Sequence, residues 1–165
     1  MARNHFPMLS RFNRWANGLI YDAAAKLPDA ERKRDRKAFF GSLHNTLDHI
    51  LLVDRVYTAR IEGRAHGITR LNELLYGDFD ALRNARQAED ERLIGLVDRL
   101  GEDRLPTVVS YKFLNGQPAK TPVELIFLTL FNHQTHHRGQ VHNMLSQAGI
   151  DPPELDIINF PGAAT

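Results

Sequence analysis

Four histidines lie close together in the segment 130–147, which reads LFNHQTHHRGQVHNMLSQ: His133, His136, His137 and His142. In an α-helix, residues four apart lie on one face, about one turn from each other. His133 and His137 have this spacing, and two imidazoles so placed can bind one metal ion, as in the zinc-binding helices of metalloproteases. A complete site of this kind needs a further ligand from another part of the chain.

Apolar residues around these histidines recur every three or four positions, and the resulting stripe contains two of the histidines. The stripe consists of Val123, Ile126, Leu130, His133, His137, Val141, Met144 and Ala148. The same period drawn through His136 gives a largely polar face. The pattern therefore predicts that His133 and His137 face the core, although spacing alone allows His136 in place of His137.

The third ligand is expected on an earlier helix, predicted at 38–62. Its apolar stripe consists of Phe39, Leu43, Leu47, Ile50, Val53, Tyr57 and Ile61. His44 and His49 are five residues apart and point about 140° away from each other, so only one can face a given point in the core. Almost no charged residue flanks His49, which favours His49 as the inward residue.

The metal hypothesis thus names His49, His133 and His137 as ligands of one divalent ion. Three histidines leave a tetrahedral ion one position for water or substrate, as in catalytic zinc sites. Such an ion acts as a Lewis acid or lowers the pKa of a bound water or thiol. The pattern also allows a second interpretation, in which the three are neutral core histidines with hydrogen-bond partners.

The other histidines are predicted to lie at the surface or behind the metal ligands. They are His5, His44, His66, His136 and His142. No catalytic residue is assigned from the sequence.

Two charged residues near the predicted site each have two interpretations, and a third residue, on another helix, carries one hypothesis. In one interpretation Arg138 is structural, pairing with a carboxylate or extending to solvent beside the core. In the other it holds an anionic substrate. Asp54 is either a solvated helix charge or a residue that orients a ligand. Glu89 falls where the apolar stripe of its helix is interrupted, and it is a candidate acid or base lining a cavity.

Four long helices are predicted to position these side chains, and periodicity places the first three at 8–27, 38–62 and 78–100. The fourth has a strong start signal, with Thr121 as N-cap, Pro122 at N1 and Glu124 at N3, which together form a capping box. Gly149 is expected to end this helix. The predicted fold class is therefore an all-α four-helix bundle.

A small β-hairpin is predicted between the third and fourth helices. β-branched and aromatic residues at 108–114 suggest one strand, and Asn115-Gly116 is the preferred pair for a two-residue hairpin turn. The second strand is expected to be ragged because Pro118 limits pairing.

Two further connections are predicted to be irregular. The segment 29–37 is a charged link. The segment 63–77 is a loop long enough to run the length of a helix, so the helices that it joins need not be antiparallel.

Composition narrows the class of protein. A chain of 165 residues with 42% hydrophobic and 25% charged residues is typical of a soluble globular protein, and one domain over 1–165 is expected. Lys plus Arg number 21 and Asp plus Glu 20, so no positive field favours nucleic-acid binding. No cysteine is present, so thiol chemistry would use an external thiol. The absence of a signal or a long apolar run predicts a cytoplasmic protein that does not cross a membrane.

Two motifs resemble those of the DinB/YfiT-like family. The late family motif N-H-x-x-x-H-R-G-Q corresponds to Asn132, His133, His137, Arg138, Gly139 and Gln140. An earlier helix motif corresponds to Ser42, Thr46, Leu47, His49, Ile50, Leu51, Asp54 and Tyr57. The opening F-N-R-W-A-N and the tail at 149–156 are also similar, so the resemblance covers nearly the whole chain.

The resemblance implies a four-helix bundle of up-down-down-up order that holds zinc or nickel through His49, His133 and His137, and a homodimer. Relatives include thiol-dependent transferases and isomerases. The implied function is a metal-dependent enzyme that acts on a small-molecule substrate with a low-molecular-weight thiol, as an S-transferase or isomerase. Two alternatives stay open: a non-enzymatic stress-response protein that binds metal or a small ligand as a dimer, and a metal-dependent hydrolase.

Overall fold

The computed structural model describes residues 4–163, in which four long helices pack as a bundle beside a β-hairpin. The helices and strands are α1 (Phe6–Ala25), α2 (Asp29–Lys33), α3 (Leu43–Glu62), α4 (Phe79–Arg99), β1 (Val108–Lys112), β2 (Pro118–Pro122) and α5 (Val123–Gln147), with 3-10 turns at Glu102–Arg104 and Ile157–Asn159. The predicted four-helix bundle, with a hairpin before its last helix, is confirmed. None of the described helices has the length and apolar character needed to cross a membrane.

Contacts at the two ends of the bundle give the direction of each long helix. Phe6 at the start of α1 packs on Phe127 near the start of α5, with ring centroids 5.2 Å apart, so these helices are parallel. Tyr21 near the end of α1 stacks on Phe79 at the start of α4, so α4 runs the opposite way. Leu43 at the start of α3 joins the same apolar cluster, so α3 is parallel to α4. The order is up, down, down, up.

Two apolar clusters fill the two ends of the bundle, and buried polar side chains lie between them. We call this middle region the polar layer, and it consists of Asn13, Asn17, Asp54, Arg86, Asp90, Gln134 and Arg138, each at most 4% exposed. The layer explains why the apolar stripe of the third predicted helix is interrupted at Arg86.

Helix α3 begins at Leu43, so the predicted start at residue 38 is wrong. The Ser42 hydroxyl accepts a hydrogen bond from the Asn45 N–H at 3.2 Å, which caps the helix there. Gly41 has a φ of +77°, a left-handed conformation that a helix interior does not accommodate. Phe39, predicted to belong to the apolar stripe, is 87% exposed.

The start of α5 also differs from the prediction, because the capping box at Thr121 does not form. Thr121 belongs to β2, and its hydroxyl lies 3.0 Å from the Tyr111 hydroxyl across the hairpin. The helix therefore begins at Val123. Its end is as predicted: the helix stops at Gln147, and Gly149 adopts a left-handed φ of +76°.

The hairpin is more regular than predicted. Pro118 opens β2 opposite Lys112, and a proline is tolerated at the first residue of a strand because its missing N–H is not needed there. The turn has three residues rather than two, since the Phe113 N–H donates to the Gln117 carbonyl at 2.9 Å. Gly116 takes the left-handed conformation that such a turn requires, with φ of +83°.

The first two predicted segments shift by a few residues. The first helix spans Phe6–Ala25 instead of 8–27. Part of the predicted charged link forms α2, which begins directly after Pro28 and has acidic residues in its first turn and basic residues in its last. That charge order complements the helix dipole, which helps so short a helix to form.

Candidate metal centre

The structure brings together the three histidines predicted from the sequence. His49 lies in the second turn of α3, and His133 and His137 lie on successive turns of α5, which packs along α3 in the opposite direction. The ring centroids are 4.3 to 5.1 Å apart, and one nitrogen of each ring lies within 4.8 Å of the other two. This cluster, called the histidine site below, is compatible with a divalent metal ion.

Hydrogen bonds on the far side of two rings fix which nitrogen faces the centre. His49 Nδ1 lies 2.8 Å from the Leu71 carbonyl oxygen, and His137 Nδ1 lies 2.8 Å from Gln140 Oε1. Because both oxygens are acceptors, each Nδ1 carries the proton and each Nε2 keeps a lone pair. Gln140 is oriented in turn by His136, whose Nε2 lies 3.3 Å from Gln140 Nε2. Histidines that bind metals commonly have such partners.

The Nε2 atoms of His49 and His133 face each other at 3.1 Å. Two nitrogens bound to one tetrahedral zinc ion at the usual Zn–N distance are about 3.3 Å apart, so the observed spacing fits a shared ion. His133 Nδ1 is buried and has no hydrogen-bond partner among residues 4–163. The donor set is therefore three imidazoles, a set that suits zinc and nickel.

Burial keeps the three imidazoles in the neutral form that metal binding requires. It lowers the pKa of His49 to about 4. Burial, with a further contribution from the neighbouring imidazoles, lowers the pKa of His133 to about 3. The pKa of His137 is also lowered by burial. At neutral pH the histidine site presents lone pairs and no positive charge.

The loop between α3 and α4 is tied to α3 beside the histidine site. His44, which is fully buried, donates its Nε2–H to the Tyr76 carbonyl at 2.7 Å. The Asp48 carboxylate accepts hydrogen bonds from the N–H groups of Leu75 and Tyr76 at 2.8 and 2.9 Å. These bonds hold the loop that supplies the carbonyl partner of His49. Sequence reasoning missed Asp48, although its position one turn after His44 places both on one helix face.

An aromatic ring covers one side of the histidine site. Phe40 stacks on His49 with ring centroids 3.8 Å apart and an interplanar angle of 25°, and it contacts His137 edge-on at 5.6 Å. Sequence reasoning missed this contact because it placed Phe40 inside a helix. The ring shields the nitrogens from water on that side.

Arg138 does not face the histidine site. Its side chain donates to Gln134 Oε1 at 2.9 Å and to Asn13, and the residue is 4% exposed. Burial lowers its pKa to about 10. Arg138 is therefore a member of the polar layer, and the hypothesis that it holds an anionic substrate is wrong.

Asp54 and Glu89 also lie away from the three histidines. Asp54 is fully buried and accepts a hydrogen bond from Arg86 Nη1 at 2.6 Å, so it is not a solvated charge. Glu89 is buried and accepts from Arg92 Nη2 at 2.8 Å. Neither carboxylate makes a hydrogen bond to His49, His133 or His137, so neither orients a ligand of the site directly.

Four other histidines lie outside the cluster. His5 and His136 are exposed, while His66 and His142 are half-buried. Their positions agree with the prediction of surface residues or residues behind the site.

A cleft of about 620 Å³ lies elsewhere, between α1 and α4. Along it Arg14 bonds to Glu91 at 2.8 Å and the Asn17 amide donates to Asp90 at 3.0 Å, while the buried Tyr21 hydroxyl has no partner within residues 4–163. Among the described residues, the histidines are the group that places three possible metal-ligating atoms within 4.8 Å of one another. The histidine site is therefore the better candidate for chemistry.

Comparison with known proteins agrees with this arrangement. The model of the DinB family matches residues 1–164. Protein DinB of Bacillus subtilis (strain 168) is 27% identical over 150 residues, which cover 86% of this chain and 84% of the relative. The crystal structure of a DinB-like protein from Bacillus cereus ATCC 10987 shares the fold, with a TM-score of 0.67 at 20% identity, over 87% of this chain and 90% of the other. This chain therefore belongs to the DinB family.

Proposed function

We propose that His49, His133 and His137 bind one divalent metal ion, zinc or nickel, and form the active centre of a thiol-dependent S-transferase or isomerase. The observation that carries this proposal is the 3.1 Å approach of two Nε2 atoms, one of which keeps a lone pair because its Nδ1 donates to a carbonyl. The ion would supply a Lewis acid that lowers the pKa of a bound thiol.

The competing interpretation, three neutral core histidines, accounts for the site less completely. A proton on His133 Nε2 can satisfy His49, and the buried His133 Nδ1 lacks a partner within residues 4–163 in either interpretation. The difference lies at His137 Nε2, to which no hydrogen bond is made among the described residues. A shared ion would use the lone pairs of all three rings, which supports a metal centre.

The surroundings of the histidines favour a thiol over water as the activated group. Residues 4–163 place no carboxylate in hydrogen-bond contact with the three rings, and the Asp48 carboxylate already accepts two backbone N–H groups. Hydrolases usually need a positioned base to deprotonate water. A thiol, with an ordinary pKa near 8.5, loses its proton more readily than water does and depends less on such a base. Because the chain has no cysteine, the thiol would come from a cosubstrate.

The test is turnover of a thiol and an electrophile by zinc-loaded protein, for instance N-acetylcysteine with 1-chloro-2,4-dinitrobenzene. We expect acceleration over the uncatalysed reaction, its loss in His137→Ala, and its retention in His142→Ala, which changes a histidine of the same helix outside the cluster. Turnover that survives removal of the metal would contradict the proposal. Hydrolysis without thiol would favour a hydrolase, and metal binding without turnover would favour a non-enzymatic protein. The homodimer stays a prediction.

A further inference from the structure

A cleft of about 430 Å³ opens beside the histidine site, between α3 and the tip of the hairpin. Its lining includes His49, His133, Val53, Val56, Tyr57 and Arg60. Val53 and Val56 form an apolar floor, and the exposed ring of Phe113 lies at the rim. The cleft therefore joins two of the three histidines, His49 and His133, to an apolar surface large enough for a small molecule.

Helix geometry sets the length of this cleft. Arg60 follows His49 by eleven residues, which corresponds to about 16 Å along the axis and about 20° around it. The two side chains thus lie on one face of α3, about three turns apart. Side chains on a helix lean toward its N-terminus, which directs the guanidinium of Arg60 toward His49. A ligand lying along this face can contact both ends.

Arg60 is held by aromatic rings rather than by an acid. Its guanidinium carbon lies 4.2 Å from the centroid of the Tyr111 ring, 5.2 Å from that of Tyr57 and 5.7 Å from that of Phe113. The residue is half-buried, and no carboxylate within residues 4–163 forms an ion pair with it. Its Nε is buried without a hydrogen-bond partner in that range. Stacking orients the cation but does not neutralise it.

Two other arginines do have an acidic partner. Arg64 and Arg92 both pair with Glu62, at 2.6 and 2.5 Å. An acid is therefore present in this part of the molecule, yet it serves other residues. A partly desolvated guanidinium that lacks a counterion is suited to bind an anion, because its fixed donors match a carboxylate.

We propose that this cleft is the substrate pocket and that it takes an elongated small molecule with an anionic group at one end. Arg60 binds the anionic group, Val53 and Val56 contact an apolar body, and the other end lies at the histidine site. This inference rests on the proposed function for the identity of the reacting end, and it adds the substrate class.

Octanoate and its neutral analogue octanamide test the pocket, by isothermal titration of metal-free protein so that a carboxylate cannot bind to zinc. We expect octanoate to bind at least tenfold more tightly than octanamide to wild type. Arg60→Gln should remove this preference, while Arg104→Gln, which changes an exposed arginine elsewhere, should keep it. A carboxylate preference that persists in Arg60→Gln, or no binding of octanoate to wild type, would overturn the proposal.

A second variant tests the apolar part and leaves the charge of Arg60 in place. Phe113→Ala removes an exposed ring at the rim and should weaken octanoate and octanamide by a similar factor of about three to ten. Unchanged affinity for both would place the ligand elsewhere and overturn the proposal. Because these titrations contain no metal, they are independent of zinc binding. Failure of wild type to bind zinc would refute the proposed function. The carboxylate preference measured for Arg60 in metal-free protein would still be interpretable.

Discussion

The histidine site on α3 and α5 lies beside the polar layer, to which all four long helices contribute, yet the two regions differ in how their buried polar groups meet. In the polar layer, donors face acceptors: Arg86 lies 2.6 Å from Asp54 and 3.0 Å from Asp90. In the histidine site, imidazole nitrogens of one kind face each other, as with the Nε2 atoms of His49 and His133.

This difference distinguishes a structural role of buried polar groups from a functional one better than their burial alone does. Both regions bury polar atoms, which costs free energy unless partners are present. The charged groups of the polar layer pair with each other, although Asn13 Nδ2, Asp54 Oδ1 and Arg86 Nε have no hydrogen-bond partner among residues 4–163. This pairing of opposite charges indicates a structural role. The histidine site lacks a partner for its converging lone pairs, and a cation from outside would supply one. Three predictions test this contrast, from the largest expected effect to the smallest.

Breaking the polar layer should cost the most stability. Asp54→Ala leaves the fully buried Arg86 without its nearest acid, and we expect a loss of about 3–5 kcal/mol in the free energy of unfolding. Urea denaturation measures it. The matched control is Glu91→Ala, which removes an exposed ion pair with Arg14 and should cost less than about 1 kcal/mol. Equal losses in the two variants would contradict a structural role for the layer.

Removing a hydrogen-bond partner behind the histidine site should change metal affinity instead. Gln140→Ala frees His137 Nδ1, and we expect zinc affinity to fall by about 10–100-fold, measured by competition with a chelating dye. The free energy of unfolding of metal-free protein should change by less than about 0.5 kcal/mol. Gln147→Ala, at the end of the same helix, serves as control. A zinc affinity unchanged in Gln140→Ala would show that this hydrogen bond does not orient a ligand.

The histidine site should also make the free energy of unfolding of metal-free protein depend on pH. Burial lowers the pKa of His49 to about 4 and that of His133 to about 3, below the ordinary value of 6.5. The unfolded chain therefore takes up protons below pH 6.5 that the folded chain does not. Stability should be full above pH 6.5 and fall as the pH drops toward 4, by about 2 kcal/mol per histidine at pH 5.

Thermal unfolding of wild type and His133→Phe at pH 7 and pH 5 measures this effect. The variant removes one such histidine, so its loss between the two pH values should be smaller by about 2 kcal/mol. The same loss in both proteins would mean that His133 is not held neutral by burial.

The sequence was sufficient to find the three histidines because helix periodicity alone decides which residues share a face. It failed near Phe40, where aromatic residues continue the apolar stripe of α3 beyond the true start of the helix. Only the cap at Ser42 and the left-handed Gly41 reveal that start. The long helices were predicted well, and their ends, where capping competes with periodicity, were predicted least well.

The partners of the histidines were harder to predict. The Leu71 carbonyl that fixes the orientation of His49 is a backbone group. Every residue has such a carbonyl, so the sequence does not show which one will accept the hydrogen bond. Gln140 offered a signal, since it lies three residues after His137 on the same face. The polar layer appeared in the sequence only as an interruption at Arg86, because its partners come from other helices and their meeting depends on packing.

The central claim is that His49, His133 and His137 hold one metal ion, and metal content tests it most directly. Mass spectrometry of untagged wild type should find about one divalent ion per chain after zinc or nickel is offered. The alanine variant of each of the three histidines should hold almost none, while His142→Ala, outside the cluster, should match wild type. Wild type without metal, or a His137→Ala protein that holds as much as wild type, would contradict the claim.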